Sequence, residues 1–107
     1  MVYVSITGFR VHSAWQQPRF WWLTLRAARQ ARSAPGNLAT SLRSSDGVYH
    51  TMTVWSDRAA MLAYLAAGAH REAMRAYHSL GSGKTLGFTA AEAPGWPEAL
   101  ARWRAEA

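Results

Sequence analysis

The chain has 107 residues, half of them hydrophobic and including six Trp, four Tyr and three Phe, so it can build one hydrophobic core and a second domain is not expected. Because it contains no cysteine, disulfides, thiolate metal sites and cysteine nucleophiles are excluded, and a reducing compartment is favoured. The net charge of +6 is spread along the chain instead of forming a basic stripe, so we expect no nucleic-acid partner.

The N-terminal segment has the period of a β-strand. Residues 2–9 place Val2, Val4 and Ile6 on one side and polar or aromatic residues on the other. No basic segment precedes an apolar core there, as a signal peptide would require. No apolar run approaches the roughly 20 residues of a membrane span. We therefore expect a soluble, cytoplasmic protein with no membrane partner.

Residues 18–33 predict an amphipathic helix. Pro18 is well placed in a first helical turn, and apolar residues recur at helical spacing from Phe20 onward. A helix cannot bury two adjacent rings in the same direction, so one of Trp21 and Trp22 is expected in the core and the other at a pocket, a dimer interface or the tail. We take Trp22 as a candidate ligand contact.

Two strands and a second helix follow. Residues 38–45 and 48–55 are rich in β-forming side chains and flank Asp46-Gly47, the strongest short signal for a hairpin. Ser56 is then expected to cap a helix that reaches Leu80, with Gly68 interrupting the apolar pattern. The pattern fits either one kinked helix or two short ones.

The last predicted elements are a strand and a tail helix. Gly81-Ser82-Gly83 is expected to end the second helix, residues 84–92 to form the strand, and residues 94–107 to form a helix that packs on the same domain or on a dimer partner. Residues 1–93 thus predict an α+β domain of β-α-β-β-α-β order, a ferredoxin-like antiparallel sheet with helices on one face. Both faces of its strands carry apolar or large residues, which favours a homodimer.

One stretch carries a family resemblance. Residues 49–74, YHTMTVWSDRAAMLAYLAAGAHREAM, contain Trp55-Ser56 at the end of a strand and His70-Arg71 on the following helix. This pattern resembles the dimeric α/β-barrel superfamily, which includes the antibiotic biosynthesis monooxygenase-like proteins. The resemblance implies a ferredoxin-like protomer, a homodimer, and a ligand pocket between the helices and the sheet.

The resemblance leaves the reaction open. Members of the superfamily carry out cofactor-free oxygenation of aromatic polyketide-like substrates, haem binding or breakdown, haem-dependent carotenoid oxidation, or no catalysis. The haem-degrading members have a His and a Trp that match His70 and Trp55, together with an Asn on the first strand. Here the Asn is Asn37, outside that strand, which also departs from the cofactor-free members that use an Asn and Trp pair. The cofactor is therefore expected to be either none or haem.

The candidate site residues are one histidine on the second helix and a set of side chains on one face of the strands. His70 is the candidate catalytic residue, as a base or an iron ligand, although it could instead cap the break at Gly68. Trp55 either stacks on a flat ligand or fills the core at the strand end. If Trp55 marks the pocket face, the ligand-binding lining is expected to be Tyr3, Ser5, Thr7, Tyr49 and Thr51.

The other histidines and the acidic residues predict no site. By the same alternation His50 lies on the opposite face, where a dimer contact is expected. His12 has no partner at a suitable spacing, and His70 with His78 would supply two ligands where zinc usually needs three or four. We expect no metal site and no acidic general catalysis.

Two hypotheses remain from the sequence. The first is a monooxygenase-like enzyme that acts on an aromatic or tetrapyrrole-like ligand in the pocket. The second is a dimeric small-molecule-binding or accessory protein without catalysis, in which the same pocket only holds its ligand.

Overall fold

A four-stranded antiparallel sheet forms the centre of the structure, and the predicted ferredoxin-like element order is confirmed. The computed structural model describes residues 1–66 and 68–107, with side chains except at positions 68–70, 72, 73 and 78. The elements are β1 (Val2–Val11), a 3₁₀ turn (Ala14–Gln16), α1 (Gln17–Ser33), β2 (Asn37–Ser45), β3 (Val48–Trp55), α2 (Arg58–Leu65), α3 (Gly68–Leu80), β4 (Gly81–Ala90) and α4 (Trp96–Glu106). Over the described ranges, no helix is long and apolar enough to cross a membrane.

The strands lie in the order β2-β3-β1-β4, so the first strand of the chain is an inner strand of the sheet. The β2–β3 hairpin closes at the predicted dipeptide, where Asp46 has a φ of 53° and Gly47 a φ of 76°. Two successive left-handed residues are what a type I′ turn needs, and this turn matches the twist of the paired strands. The local chemistry of Asp46-Gly47 therefore sets the hairpin register.

Helices α1, α2 and α3 cover one face of the sheet. Phe9 of β1 stacks on Phe20 of α1, with 5.2 Å between ring centroids, and Tyr77 of α3 packs against both rings. Further along, Trp55 packs against Tyr64 of α2 in a second apolar cluster. The two clusters lie at opposite ends of β1 and leave its middle to the candidate site described below.

The tail helix α4 packs on the opposite face of its own sheet. Val4 and Ile6 of β1 and their neighbours on β3 are buried beneath Ala99 and Trp103. The Trp103 indole N–H donates to the Lys84 carbonyl at 3.0 Å, and its six-membered ring lies directly over Gly8, where a Cβ would collide with it. The apolar residues that the sequence placed on this face are thus covered largely by the chain's own tail.

Of the two patterns that the sequence allowed between Ser56 and Leu80, two short helices are present. Two predicted boundaries are wrong. Asp57 rather than Ser56 caps the first of these helices, with its carboxylate accepting a hydrogen bond from the Ala60 N–H at 2.8 Å. The fourth strand begins at Gly81 instead of residue 84. A Cβ at Gly83 would meet the Gly8 carbonyl at 2.6 Å, so the missing side chain lets β4 pair with β1 through a segment that resembles a turn.

Candidate functional site

A cavity of about 640 Å³ lies between the sheet and the three helices on its covered face. This volume falls within the range of about 300–1,000 Å³ typical of small-molecule pockets. Its lining comes from β1, β3 and β4 below and from α1, α2 and α3 above: Tyr3, Ser5, Thr7, Phe9, Thr24, Ala27, Ala28, Ala31, Thr51, Thr53, Met61, Tyr64, Leu65, Met74, Tyr77 and residues 81–85 and 87.

The floor of the cavity is a patch of aliphatic hydroxyl groups, which we call the hydroxyl floor: Ser5, Thr7, Thr51, Thr53 and Thr85. Cross-strand pairing brings them together, because Ser5 lies opposite Thr53 and Thr7 lies opposite both Thr51 and Thr85. The hydroxyl oxygens of Thr7 and Thr85 are 3.0 Å apart and share a hydrogen bond. Since a hydroxyl both donates and accepts, this floor can bind ligand carbonyl and phenol oxygens alike.

Two tyrosines from the helices contribute to the walls. The Tyr64 phenol donates to the Ala27 carbonyl at 2.7 Å, and the Tyr77 and Thr24 hydroxyls lie 3.2 Å apart. Burial raises the pKa of Tyr64 above its usual value, and burial also raises the pKa of Tyr77 despite its bond to Thr24. Both phenols are therefore neutral near pH 7, and neither is suited to act as a base.

Part of the cavity lining on the edge strand β4 is exposed to solvent. Gly83, Thr85 and Gly87 are exposed there although they also line the cavity. Lys84 has a charged side chain, but its ammonium donates to the Ala107 carbonyl and lies over Trp103 on the other face of the sheet. The described part of the lining is therefore uncharged, with apolar walls above a hydroxyl floor.

The structure brings four of the predicted ligand-binding residues together in the cavity lining: Tyr3, Ser5, Thr7 and Thr51. It does not bring Tyr49 or Trp22 to them. Tyr49 packs against Phe20 and Trp21, and its hydroxyl donates to Gln17 at 3.0 Å. Trp22 is 57% exposed on the outer surface of α1.

Trp55 lies behind the cavity lining. It is fully buried, its ring centroid is 5.2 Å from that of Tyr64, and it packs in the same cluster as Tyr3 and Met61. Its indole N–H has no hydrogen-bond partner in the described part of the chain. This position matches the core-filling alternative, in which Trp55 supports lining residues from behind.

The predicted catalytic residue, His70, belongs to α3, but its side chain lies outside the described residues, as does that of His78. His50 is on the opposite face, as alternation predicted, and is 2% exposed. The Trp103 ring covers it edge-on at 4.7 Å, so a residue expected at a dimer contact is covered by its own chain. His12 is exposed at the end of β1.

Several lining residues were missed from the sequence. Thr53 shares a strand face with Thr51 and could have been included by alternation, whereas Thr85 required knowledge of the β1–β4 register. Tyr64 and Tyr77 have the spacing of ordinary core positions. Their place at a cavity depends on how far α2 and α3 stand from the sheet, which no local pattern encodes.

The described residues offer little to hold haem iron. They contain no group of three or more His, Cys, Asp or Glu side chains placed to bind a metal ion. The potential haem ligands in the described lining are tyrosines and methionines, and the raised pKa values of Tyr64 and Tyr77 oppose phenolate ligation. No histidine belongs to the described lining.

A ferredoxin-like sheet under helices, with a cavity of the size of a small molecule between the two layers, defines the fold class of this α+β protein. The sequence identifies the family within this class: residues 3–76 match the antibiotic biosynthesis monooxygenase family. The match spans well over half of the chain, and the chain belongs to this family. Comparison with curated protein sequences gives no significant match.

Solved structures of other proteins have a similar fold. SnoaB, a cofactor-independent oxygenase from Streptomyces nogalater, is 25% identical with a TM-score of 0.70, over 86% of this chain and 95% of its own. A protein from Deinococcus radiodurans described as a putative antibiotic biosynthesis monooxygenase is 23% identical with a TM-score of 0.76, over 89% and 97% of the two chains. Rv0793 from Mycobacterium tuberculosis, at 11% identity and a TM-score of 0.79 over 89% and 100%, shares the fold.

Proposed function

We propose that this protein is a monooxygenase-like enzyme that oxygenates a flat, hydroxylated aromatic molecule bound in the cavity over the hydroxyl floor. The carrying observation is the pairing of apolar walls with five hydroxyl side chains on three adjacent strands. An aromatic ring system places its faces against apolar walls, and its oxygen substituents need hydrogen-bond partners when they leave water. The likeness to SnoaB supports oxygenation without a cofactor.

In the proposed oxygenation, the electrons that reduce O₂ come from the substrate itself. A methylene between hydroxylated aromatic rings loses a proton to give a carbanion, whose charge spreads onto the ring oxygens. The carbanion reduces O₂ as a C–O bond forms, and a second proton loss breaks the O–O bond. The balance is CH₂ + O₂ → C=O + H₂O, with no external reductant. Hydrogen bonds from the floor would stabilise the charge on the ring oxygens.

The proton acceptor in this proposal is His70. Near neutral pH an imidazole exchanges a proton readily, while Tyr64 and Tyr77 stay protonated. His70→Gln is expected to slow turnover more than binding, whereas loss of a floor hydroxyl is expected to affect both. A His70→Gln enzyme with unchanged turnover would remove this residue from the proposed mechanism.

The floor is tested with valine substitutions that keep side-chain volume. Thr51→Val and Thr53→Val are expected to lower kcat/KM for oxidation of a hydroxylated anthrone by about tenfold each, because each removes a hydrogen bond to developing charge. Oxygen consumption and quinone absorbance are followed together. Thr89→Val is the matched control, since Thr89 is exposed on β4 and does not line the cavity.

The outcomes separate the alternatives. Binding of the anthrone without oxygen uptake would favour the non-catalytic ligand-binding protein, an alternative supported by the uncharged described lining. A saturable Soret band on haem titration, lost in His70→Ala, would favour a haem-linked activity instead. Equal effects of Thr53→Val and Thr89→Val would show that the floor does not contact the substrate.

We also propose that the chain works as a homodimer in the cytoplasm. Part of the sheet face beside α4 retains half-buried apolar side chains, among them Val48, Leu86 and Phe88, which a second copy could cover. The absence of cysteine supports a reducing compartment.

A further inference from the structure

A second concavity lies on the outer surface of the helical layer, away from the proposed active site. This outer groove has a volume of about 610 Å³ and runs between α1 and α3. Its lining is Arg19, Trp22, Leu23, Arg71, Arg75, Ala76 and Ser79. None of these residues lines the cavity over the sheet, so the outer groove is a separate site.

Three positive charges converge on the outer groove. Arg71 and Arg75 are four residues apart on α3, a spacing that places them on the same side of the helix, and Arg19 faces them from α1. All three side chains are exposed, and no Asp or Glu belongs to the described lining. Like charges at this spacing destabilise a helix unless an anion compensates them. This arrangement therefore favours a bound anion.

An aromatic ring borders the charged part of the outer groove. Trp22 is 57% exposed, and the Arg26 guanidinium lies 4.6 Å from the centroid of its ring. Trp22 follows Arg19 by three residues, so the ring and the guanidinium share one side of α1. The outer groove thus joins a flat apolar surface to a cluster of guanidinium groups.

We propose that the outer groove binds a phosphate monoester, with the phosphate held by Arg19, Arg71 and Arg75 and the organic part lying on Trp22. The planar fork of guanidinium matches two phosphate oxygens at once, and a dianion compensates more of the clustered charge than a carboxylate does. The Arg26 guanidinium lies over one face of the exposed indole, and the other face can take a planar or apolar group. The ligand is thus a small phosphorylated organic molecule.

The test uses phenyl phosphate, inorganic phosphate and phenol as probes, with calorimetry for affinity and the Trp22 indole N–H resonance for location. Phenyl phosphate is expected to bind more tightly than either fragment and to shift the Trp22 resonance. In the double variant Arg71→Gln/Arg75→Gln, its affinity is expected to fall by about tenfold or more, because two charge-assisted contacts are lost. Trp22→Ala should reduce the advantage of phenyl phosphate over inorganic phosphate.

The matched control is Arg43→Gln/Arg58→Gln, which removes the same net charge from exposed arginines outside the outer groove. It should bind phenyl phosphate like the unmodified protein. Equal weakening by both double variants would overturn the proposal in favour of a general charge effect. Binding of a poly-glutamate peptide without binding of phenyl phosphate would overturn it in favour of an acidic protein partner.

Glu72 lies between the two α3 arginines in the sequence, and its side chain is not among those described. A Glu72→Gln variant is expected to bind phenyl phosphate at least as tightly as the unmodified protein. Loss of binding in this variant would contradict an anion site. Circular dichroism and the thermal midpoint of each variant verify that the fold is retained.

Discussion

His50 is a titratable side chain held where its charged form is disfavoured. Burial under Trp103 lowers its pKa below the ordinary 6.5, the Arg104 charge lowers it further, and a hydrogen bond with the Thr7 backbone opposes them. Its Nδ1 atom has no hydrogen-bond partner in the described structure. The folded protein therefore binds a proton at His50 less readily than the unfolded chain does.

This imbalance predicts how stability depends on pH. Above pH 6.5 His50 is neutral in both states and its contribution is fully present; as the pH falls below 6.5 towards its lower folded-state pKa, the unfolded chain takes up the proton first and stability is lost. Urea denaturation at a series of pH values should show a smaller acid loss for His50→Gln than for the unmodified protein. Exposed His12→Gln should leave the loss unchanged, and equal slopes in all three proteins would contradict the prediction.

At the level of elements, α4 is anchored by one aromatic side chain. Trp103 is 8% exposed and contacts β1, β3 and β4, and its N–H is bonded to the Lys84 carbonyl. Trp103→Ala is expected to lower the free energy of unfolding by about 3–5 kcal/mol through loss of packing and of this hydrogen bond. Trp22→Ala, at a 57% exposed position, should lower it by less than about 1 kcal/mol. A loss of less than about 1 kcal/mol in Trp103→Ala, measured by chemical denaturation, would show that Trp103 does not anchor α4.

The pairing of β4 depends on a residue without a side chain. A Cβ at Gly83 would meet backbone at 2.6 Å and the Phe9 ring at 2.7 Å, so Gly83→Ala is expected to lower the free energy of unfolding by about 1–3 kcal/mol. At Gly95 the nearest atom to a Cβ is 3.8 Å away, and Gly95→Ala should cost less than about 1 kcal/mol. Thermal unfolding of the two variants compares them directly, and a Gly83→Ala protein as stable as Gly95→Ala would refute the argument.

Local chemistry made some elements predictable and others not. The hairpin followed from Asp46-Gly47, and the polar face of β1 followed from simple alternation. Gly81-Ser82-Gly83 has the composition of a turn, and it extends the strand because its backbone pairs with residues 9–11 of β1. Four residues of the candidate site, Tyr3, Ser5, Thr7 and Thr51, likewise followed from alternation, while the lining residues from α2, α3 and β4 depend on tertiary packing.

At the scale of the whole molecule, we expect a second copy of the chain to pack on the sheet face opposite the cavity. Trp103 and Ala99 cover its centre, and Leu86, Phe88 and Val48 remain half-buried beside them. Light scattering is expected to give twice the mass of one chain, because a second copy would cover these half-buried apolar side chains. Leu86→Glu should shift the protein towards monomer, whereas Thr89→Glu, on the cavity side of the same strand, should not. A monomeric unmodified protein would refute the dimer.

The strand order also bears on how the chain is made. β1 is synthesised first, yet it lies between β3 and β4, and β4 together with the covering helix α4 comes from the last quarter of the chain. Until those residues leave the ribosome, one edge of β1 has no strand to pair with and the apolar face beneath α4 is open. Unpaired edges and uncovered apolar faces invite association with other chains. The sheet can therefore close, and its apolar face can be covered, only after β4 and α4 have left the ribosome.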